Sequence, residues 1–297
     1  MTVTGLRCAI SILDDPFDHD GKGDEVYAAV WIRQFDRKSG QPVMETNART
    51  LTYGDIRSFP DRIQAGTLSP TGGIGGSDSI PPNFSADRCC APSNSMFPLK
   101  LFEGTLTDGV DALVFSPSIW EASGDESWLR TWGTAQNQLT ASIFNRQEIK
   151  DQMDRKIFGP ITLGATPSNS GNNLTGAAAG VIVGSLGIPV LGLPVNAITG
   201  GWRDRPVGLV PVGVDATALP NTTIVLTREI IEAALNAPHQ AVINAAPGVM
   251  ITTPKPGIMV FNFVDTFKPN DWATMGLGLG LHISPGIFTM VMQVERR

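Results

Sequence analysis

The chain has 297 residues, of which 42% are hydrophobic and 17% are charged, and its formal net charge is −6. This length and apolar content are enough to bury a core, which excludes an extended disordered chain. The acidic balance and the scattered basic residues argue against nucleic acid as a partner, because attraction to a phosphate backbone needs a concentrated positive face.

Glycine and proline contribute 32 and 22 residues, and such a composition favours turns and short strands over long helices. The three cysteines, Cys8, Cys89 and Cys90, are an odd number, and adjacent cysteines do not readily bridge each other. We therefore expect reduced thiols and a cytoplasmic protein. The N-terminus lacks the basic and apolar regions of a secretory signal, and release by lysis or by a dedicated secretion system stays open.

The N-terminal part of the chain predicts two strands, at residues 3–13 and 26–32, separated by an acidic stretch at residues 14–25. Residues 37–42 (RKSGQP) then predict a hairpin turn. Both features indicate a β-rich start to the chain.

The acidic stretch is a candidate calcium site, because closely spaced carboxylates on a glycine-rich turn supply the oxygen ligands that calcium prefers. Residues 18–24 (DHDGKGD) resemble the Asp/Gly calcium loops of the EF-hand-like and integrin-repeat families. Lys22 and Ala29 stand where an EF-hand needs oxygen ligands, which excludes a true EF-hand. A closer resemblance is to the acidic loops of C2-like β-sandwiches, and it implies one calcium ion held by Asp14, Asp18, Asp20 and Asp24. The alternative is a solvated acidic turn.

The middle of the chain is irregular up to residue 95 and then alternates between types of structure. Residues 66–95 are rich in glycine and proline and predict a long loop, a kind of segment that is often functional or in contact with a partner. Strands are expected at residues 97–102 and 110–116. An apolar stripe with helical spacing predicts a long helix from Asp125 to residue 157, ended by Gly159 and Pro160.

The segment from residue 157 to residue 202 contains no charged residue. Within it, residues 174–198 are long enough to cross a bilayer, and Gly176, Gly180 and Gly184 would share one face of a helix. Pro189 and Pro194 break such a helix, however. A buried glycine-rich hairpin or a subunit interface is therefore favoured over a membrane-inserting element.

The C-terminal part predicts a short helix at residues 228–235, capped by Thr227 and closed by Pro238. Strands are expected at residues 257–264 and 276–294. Together with the N-terminal strands they indicate a mainly β, sandwich-like body, of which a C2-like sandwich is one form, built from residues 1–122 and 204–297. Residues 123–203 form the inserted α-helical and glycine-rich segment.

Recognisable catalytic motifs are missing from the sequence. The nearest approach to a nucleophile elbow lacks its first glycine, since Val183 stands at that position. Glu121 and Asp125 have the residue types of a glycosidase carboxylate pair, but two acids this close are more often a loop residue and a helix cap.

Low charge, long loops and an uncharged segment suit a protein whose surfaces are buried against copies of itself or a partner. The sequence thus favours a non-enzymatic structural or interaction protein that forms a homo-oligomer or docks on a protein partner, with calcium as a stabilising ion. The alternative is a membrane-active, pore-forming protein that uses residues 174–198. A hydrolase of unknown type ranks third.

Overall fold

A computed structural model places most of the β-rich body and parts of the remaining chain. It describes residues 1–10, 23–57, 59–82, 84, 97–122, 124, 126, 129–130, 132–134, 136–137, 159–162, 181–184, 188–190, 204–207, 210–211, 217–219, 222–236, 241–246, 249–253, 256–264 and 286–296. Cys89, Cys90 and Pro238 lie outside this part of the chain, as do most residues of the predicted long helix.

The described chain is mainly β, as the sequence predicts, and most of its strands belong to two large open sheets. In chain order the strands are β1 (Thr2–Ile10), β2 (Val26–Asp36), β3 (Pro42–Arg49), β4 (Tyr53–Gly54), β5 (Ile63–Gln64), β6 (Ser79–Ile80), β7 (Leu99–Lys100), β8 (Asp111–Glu121), β9 (Gly159–Thr162), β10 (Val181–Gly184), β11 (Ile188–Val190), β12 (Arg205–Pro206), β13 (Val210–Pro211), β14 (Thr217–Leu219), β15 (Thr222–Leu226), β16 (Ala241–Ala246), β17 (Val249–Thr253), β18 (Ile258–Val264) and β19 (Ile287–Gln293). One helix, α1 (Arg228–Asn236), follows β15.

The first sheet has the order β16-β17-β18-β19-β1-β6, and β7 also pairs with β1. The second has the order β5-β4-β2-β8-β15-β10-β9, with β3 paired to β2 and β12 paired to β8. A small third sheet has the order β11-β14-β13. Because β1 and β19 lie side by side, the two ends of the described chain meet in the first sheet.

The two large sheets share one hydrophobic core. The ring of Phe115 on β8 meets the ring of Phe261 on β18 edge to face, with centroids 6.4 Å apart. Aromatic pairs in this arrangement add stabilisation beyond the area they bury. Side chains at alternate positions of β2 and β8, among them Ile32 and Phe115, line the core side of the second sheet.

The second sheet is covered on its other face as well, and for this reason almost every residue of β2 and β8 is buried, rather than every second one. Residues 129–130, 132–134 and 136–137 are helical, and we call them the first helical segment. Trp132 of this segment is buried and packs edge to face on Trp120 of β8, with ring centroids 6.0 Å apart. The position of these residues agrees with the start of the predicted long helix.

Several predicted elements are longer or shorter in the structure than the sequence indicates. Strand β2 continues to Asp36, and the predicted turn joins it to β3 as an antiparallel hairpin. Gly40, with a φ of 69°, supplies the left-handed conformation in that turn. By contrast, the strand expected at residues 97–102 is shorter in the structure and pairs with β1 only over Leu99–Lys100.

Helix α1 begins where the sequence predicts. The Thr227 hydroxyl accepts a hydrogen bond from the Ile230 N–H (3.3 Å), which is the bond that an N-cap residue makes. Ile230 is buried, so the helix packs its apolar face on the body.

The first turn of α1 is held to the body by Glu229, whose side chain is 9% exposed. Its Oε1 atom accepts hydrogen bonds from Arg37 Nη1 and from the Gly109 N–H, both at 3.1 Å. Burial alone raises the pKa of Glu229, but hydrogen bonds from the Thr227 hydroxyl and from backbone N–H groups, that of Gly109 among them, oppose it, and the pKa is lowered to about 2. Glu229 therefore stabilises the fold in its charged form.

We expect Glu229→Gln to lower the free energy of unfolding by about 2 kcal/mol at neutral pH, the size typical of a hydrogen bond to a charged group. The folded pKa of about 2 lies below the ordinary value of 4.5, so the contribution is complete above pH 4.5 and is lost as the pH falls towards 2. Urea unfolding at several pH values measures it. Glu295→Gln, at an exposed site, is the control. Equal losses for Glu229→Gln at pH 7 and pH 3 would contradict the expectation.

The segment between residues 123 and 203 contributes strands to the second sheet. Strand β10 pairs antiparallel with β15 and parallel with β9. These contacts attach parts of the predicted insertion to the edge of the body. The domain boundaries themselves stay a prediction.

Candidate functional site

The acidic stretch predicted to bind calcium enters the body at Asp24. Asp14, Asp18 and Asp20 lie outside the described residues, so the convergence of the four carboxylates stays a prediction. Asp24 is fully buried, and its backbone N–H and C=O both bond to Ile74 at 3.0 Å. Among the described side chains, no group of three or more His, Cys, Asp or Glu is placed to hold a metal ion.

A buried ion pair lies next to Asp24. Glu25 Oε2 is 3.5 Å from Arg62 Nη1, and the two side chains are 3% and 6% exposed. The Arg62 guanidinium also lies 3.9 Å from the centroid of the Phe59 ring. On the other side, the Glu25 C=O accepts a hydrogen bond from the Ala122 N–H (2.7 Å). Glu25 thus joins the start of β2 to both the loop after β4 and the end of β8.

Asp55 extends this cluster into the loop. Its N–H donates to Glu25 Oε1 (3.3 Å), and its carboxylate accepts from the Arg57 N–H (2.8 Å) and the Ser69 hydroxyl (3.2 Å). The hydroxyls of Ser69 and Thr71 lie 3.0 Å apart. Asp55 is buried, and these bonds compensate for the cost of removing its charge from water.

Glycines allow the loop to lie directly on the start of the second sheet. A Cβ atom at Gly72 would lie 2.1 Å from the carbonyl oxygen of Gly54, and one at Gly66 would lie 2.0 Å from that of Gly73. The role of Gly66 and Gly72 in the structure is therefore close backbone packing.

The thiol of Cys8 is buried within reach of the charges of Asp24 and Asp78. Burial raises its pKa, and the negative charges of Asp24 and Asp78 raise it further. The thiol is therefore held in its protonated form, which is a poor nucleophile and a poor metal ligand.

A second cluster of buried polar residues connects β2 to the chain at the two ends of the predicted insertion. The Tyr27 hydroxyl donates to Asp204 Oδ2 (2.6 Å), and Asp204 Oδ1 accepts from the Gly124 N–H (2.9 Å). Burial raises the pKa of Tyr27, and the charge of Asp204 adds to the effect. The Arg49 guanidinium lies 4.0 Å from the centroid of the Tyr27 ring and is paired with Glu126.

A third polar group fixes the first helical segment on the second sheet. The hydroxyls of Ser116 and Thr223 lie 2.9 Å apart, and both bond to Gln136 Oε1, at 2.8 and 3.2 Å. All three residues are buried. Satisfied buried polar networks of this kind specify one packing arrangement, because any other leaves polar atoms unpaired.

These clusters have the features of structural networks, since their members bond to one another. Of the candidate glycosidase pair, Glu121 is buried in β8 and Asp125 lies outside the described residues. The Glu25 cluster and its glycines were not predicted. The only sequence signal for them is the Gly-Asp-Glu sequence at residues 23–25 directly before an apolar strand.

Strand β3 is an exposed, polar part of the second sheet. It pairs with β2 on one side, and no described strand pairs with its other side, which we call the open edge. Along β3, half-buried residues (Met44, Thr46, Ala48) alternate with exposed ones (Val43, Glu45, Asn47, Arg49). Pro42 and a bulge opposite Gln34 and Phe35 interrupt regular pairing at its start, and beyond them the edge is regular.

The uncharged segment is described only in part. Residues 181–184 and 188–190 are strands, so Gly184 does not lie on a helix face with Gly176 and Gly180 as the spacing would allow. Among the described helices, none has the length and apolar character needed to cross a bilayer. The pore-forming alternative stays a prediction from the sequence.

Comparison with known proteins adds no relative: no family model, curated protein or solved structure matches this chain.

Proposed function

We propose that this chain is a non-enzymatic structural or interaction protein that self-assembles or docks on a protein partner. In this proposal the two sheets form a sandwich-like, C2-like scaffold, and the open edge of β3 is the contact surface. The observation that carries it is the regular stretch of β3 whose second side has no described partner. An unpaired edge offers N–H and C=O groups to another strand.

Two further observations support the proposal. Val43 and Leu51, near the two ends of β3, are 63% and 50% exposed, so both side chains are accessible to a partner at this edge. The buried polar clusters around Glu25, Asp204 and Gln136 have partners on neighbouring elements, which suits a rigid scaffold more than a reactive site.

Size-exclusion chromatography with light scattering, over a range of protein concentrations, tests the proposal. We expect a mass above that of the 31.6 kDa monomer, with the oligomeric fraction rising with concentration. A monomer at every concentration, with no protein retained from pull-downs, would rule the proposal out.

We also propose that calcium bound by Asp14, Asp18, Asp20 and Asp24 stabilises this scaffold. Buried Asp24 lies where the acidic stretch joins β2, so an ion there would tie the stretch to the body. Binding at a hundred times the dissociation constant adds about 2.7 kcal/mol to stability, so the melting temperature should rise with calcium. Asp20→Ala should abolish the rise, and Asp61→Asn, at an exposed acid outside the stretch, should keep it. No rise in the parent protein would leave the acidic stretch as a solvated turn.

A further inference from the structure

We infer that the partner of the open edge is a second copy of this chain, whose β3 strand pairs with it antiparallel about a two-fold axis at Asn47. The inference rests on the proposed function and specifies its partner and register. The second sheets of the two copies would then join through their β3 strands and form one continuous sheet.

The hydrogen-bonding pattern of β3 determines which residues can pair outward. The Thr50 N–H donates to the Ala28 C=O (3.0 Å), so the residues of β3 that bond to β2 are the even-numbered ones in register with it. In an antiparallel ladder the residues between them direct their N–H and C=O groups to the other side. On β3 these are Glu45, Asn47 and Arg49.

The side chains of these three residues are self-complementary in one register. With Asn47 opposite Asn47 of the second copy, Glu45 of each copy lies opposite Arg49 of the other. Directly opposed residues have Cβ atoms about 5 Å apart, and opposite charges in these positions are stabilising. The same register brings exposed Val43 of each copy alongside exposed Leu51 of the other.

The other registers lack this match. An axis at Glu45 places two carboxylates opposite each other, and an axis at Arg49 places two guanidinium groups opposite each other. An axis at Thr46 places Glu45 opposite Asn47 and Arg49 opposite Val43. An axis at Ala48 places Arg49 opposite Asn47 and Glu45 opposite Leu51. In both registers each charged residue lacks an oppositely charged partner. Like charges directly opposed are destabilising, so the register at Asn47 is selected.

Both charged residues have room for a second partner. Glu45 pairs with Arg33 and Arg49 pairs with Glu126 within one copy, but their side chains are still 60% and 37% exposed. The pairing would form about six main-chain hydrogen bonds, from three pairs of residues that each exchange two. A contact made by one strand from each copy buries less surface than most specific complexes do, so we expect a dimer that dissociates on dilution.

The first test removes an outward N–H group. Asn47→Pro should abolish the dimer, because proline has no N–H and its ring projects into the position of the second strand. Proline is tolerated on edge strands where the N–H faces solvent, so the monomer should still fold, and its circular dichroism and melting curve check this. Light scattering should show the mass fall by half.

The second test uses charge and does not depend on proline. Glu45→Lys places a lysine opposite Arg49 of the second copy, and Arg49→Glu places two acidic residues opposite each other, so each variant alone should dimerise at least tenfold more weakly. Mixed together, the two variants should form a heterodimer in which every opposed pair has opposite charges. Lys38→Glu, in the adjacent exposed turn, controls for the change in net charge.

The outcomes separate this inference from the proposed function. An oligomer that persists in Asn47→Pro, or two charge variants that do not recover a dimer when mixed, overturns pairing through β3 and leaves self-assembly in place. A parent protein that is monomeric at every concentration overturns this inference, and it overturns the proposed function as well only when pull-downs retain no protein.

Discussion

Gly66→Ala is expected to lower the free energy of unfolding by about 3 kcal/mol, through backbone strain and overpacking together. The new Cβ would lie 2.0 Å from the carbonyl oxygen and 2.3 Å from the carbonyl carbon of Gly73, atoms that cannot move independently of the backbone. The φ of Gly66 is also +91°, a conformation that residues with a side chain rarely adopt. Urea denaturation followed by circular dichroism measures the change.

The matched control is Gly124→Ala. Gly124 has nearly the same φ, +95°, but nothing lies within 4 Å of the position of a Cβ atom there. Its substitution should therefore cost only the backbone strain, about 1 kcal/mol. Equal losses for the two variants would show that the loop around Gly66 does not pack as closely as the structure indicates.

Arg62→Met should destabilise the protein by about 3 kcal/mol, because it leaves the Glu25 carboxylate buried without its cationic partner. Methionine has a similar length and preserves most of the contact with the Phe59 ring, so the loss reports mainly on charge. The double variant Glu25→Gln with Arg62→Met should recover part of the stability, since the charge of Glu25 is then removed together with its cationic partner. Thermal and urea unfolding of the three variants measure this cycle.

An exposed ion pair provides the comparison for Arg62→Met. Arg228 and Glu232 on α1 are 54% and 36% exposed, and their atoms are 3.0 Å apart. Water and salt screen the attraction between exposed charges, so Arg228→Met should have a small effect on stability. If both variants lost the same stability, the burial of the Glu25–Arg62 pair would have no energetic consequence.

Local sequence was sufficient to predict the elements whose signals lie within a few residues. The turn at residues 37–42 and the cap of α1 depend on Gly40 and Thr227, and both act through adjacent backbone groups. The strands expected at residues 26–32 and 110–116 correspond to parts of β2 and β8, but their burial on both faces was not predicted. The mainly β class follows from such signals together with the composition.

The candidate sites were less predictable, because their residues are far apart in the chain. Glu25 meets Arg62, and Tyr27 meets Asp204, only after the sheet has formed. No periodicity in the sequence records such pairings. The open edge of β3 is of the same kind: an alternating strand reads alike whether it has one neighbour or two.

What the sequence by itself determined is therefore the class of structure, the turns and caps, and a candidate calcium loop, since each depends on neighbours along the chain. Only the tertiary structure decided which strands became neighbours, which charges were buried together and which strand was left at an edge. Glu45 and Arg49 acquire their proposed role in this way. Their spacing is visible in the sequence, but hydrogen bonding to β2 decides that the backbone N–H and C=O groups of Glu45, Asn47 and Arg49 face outward, where a second copy can pair with them.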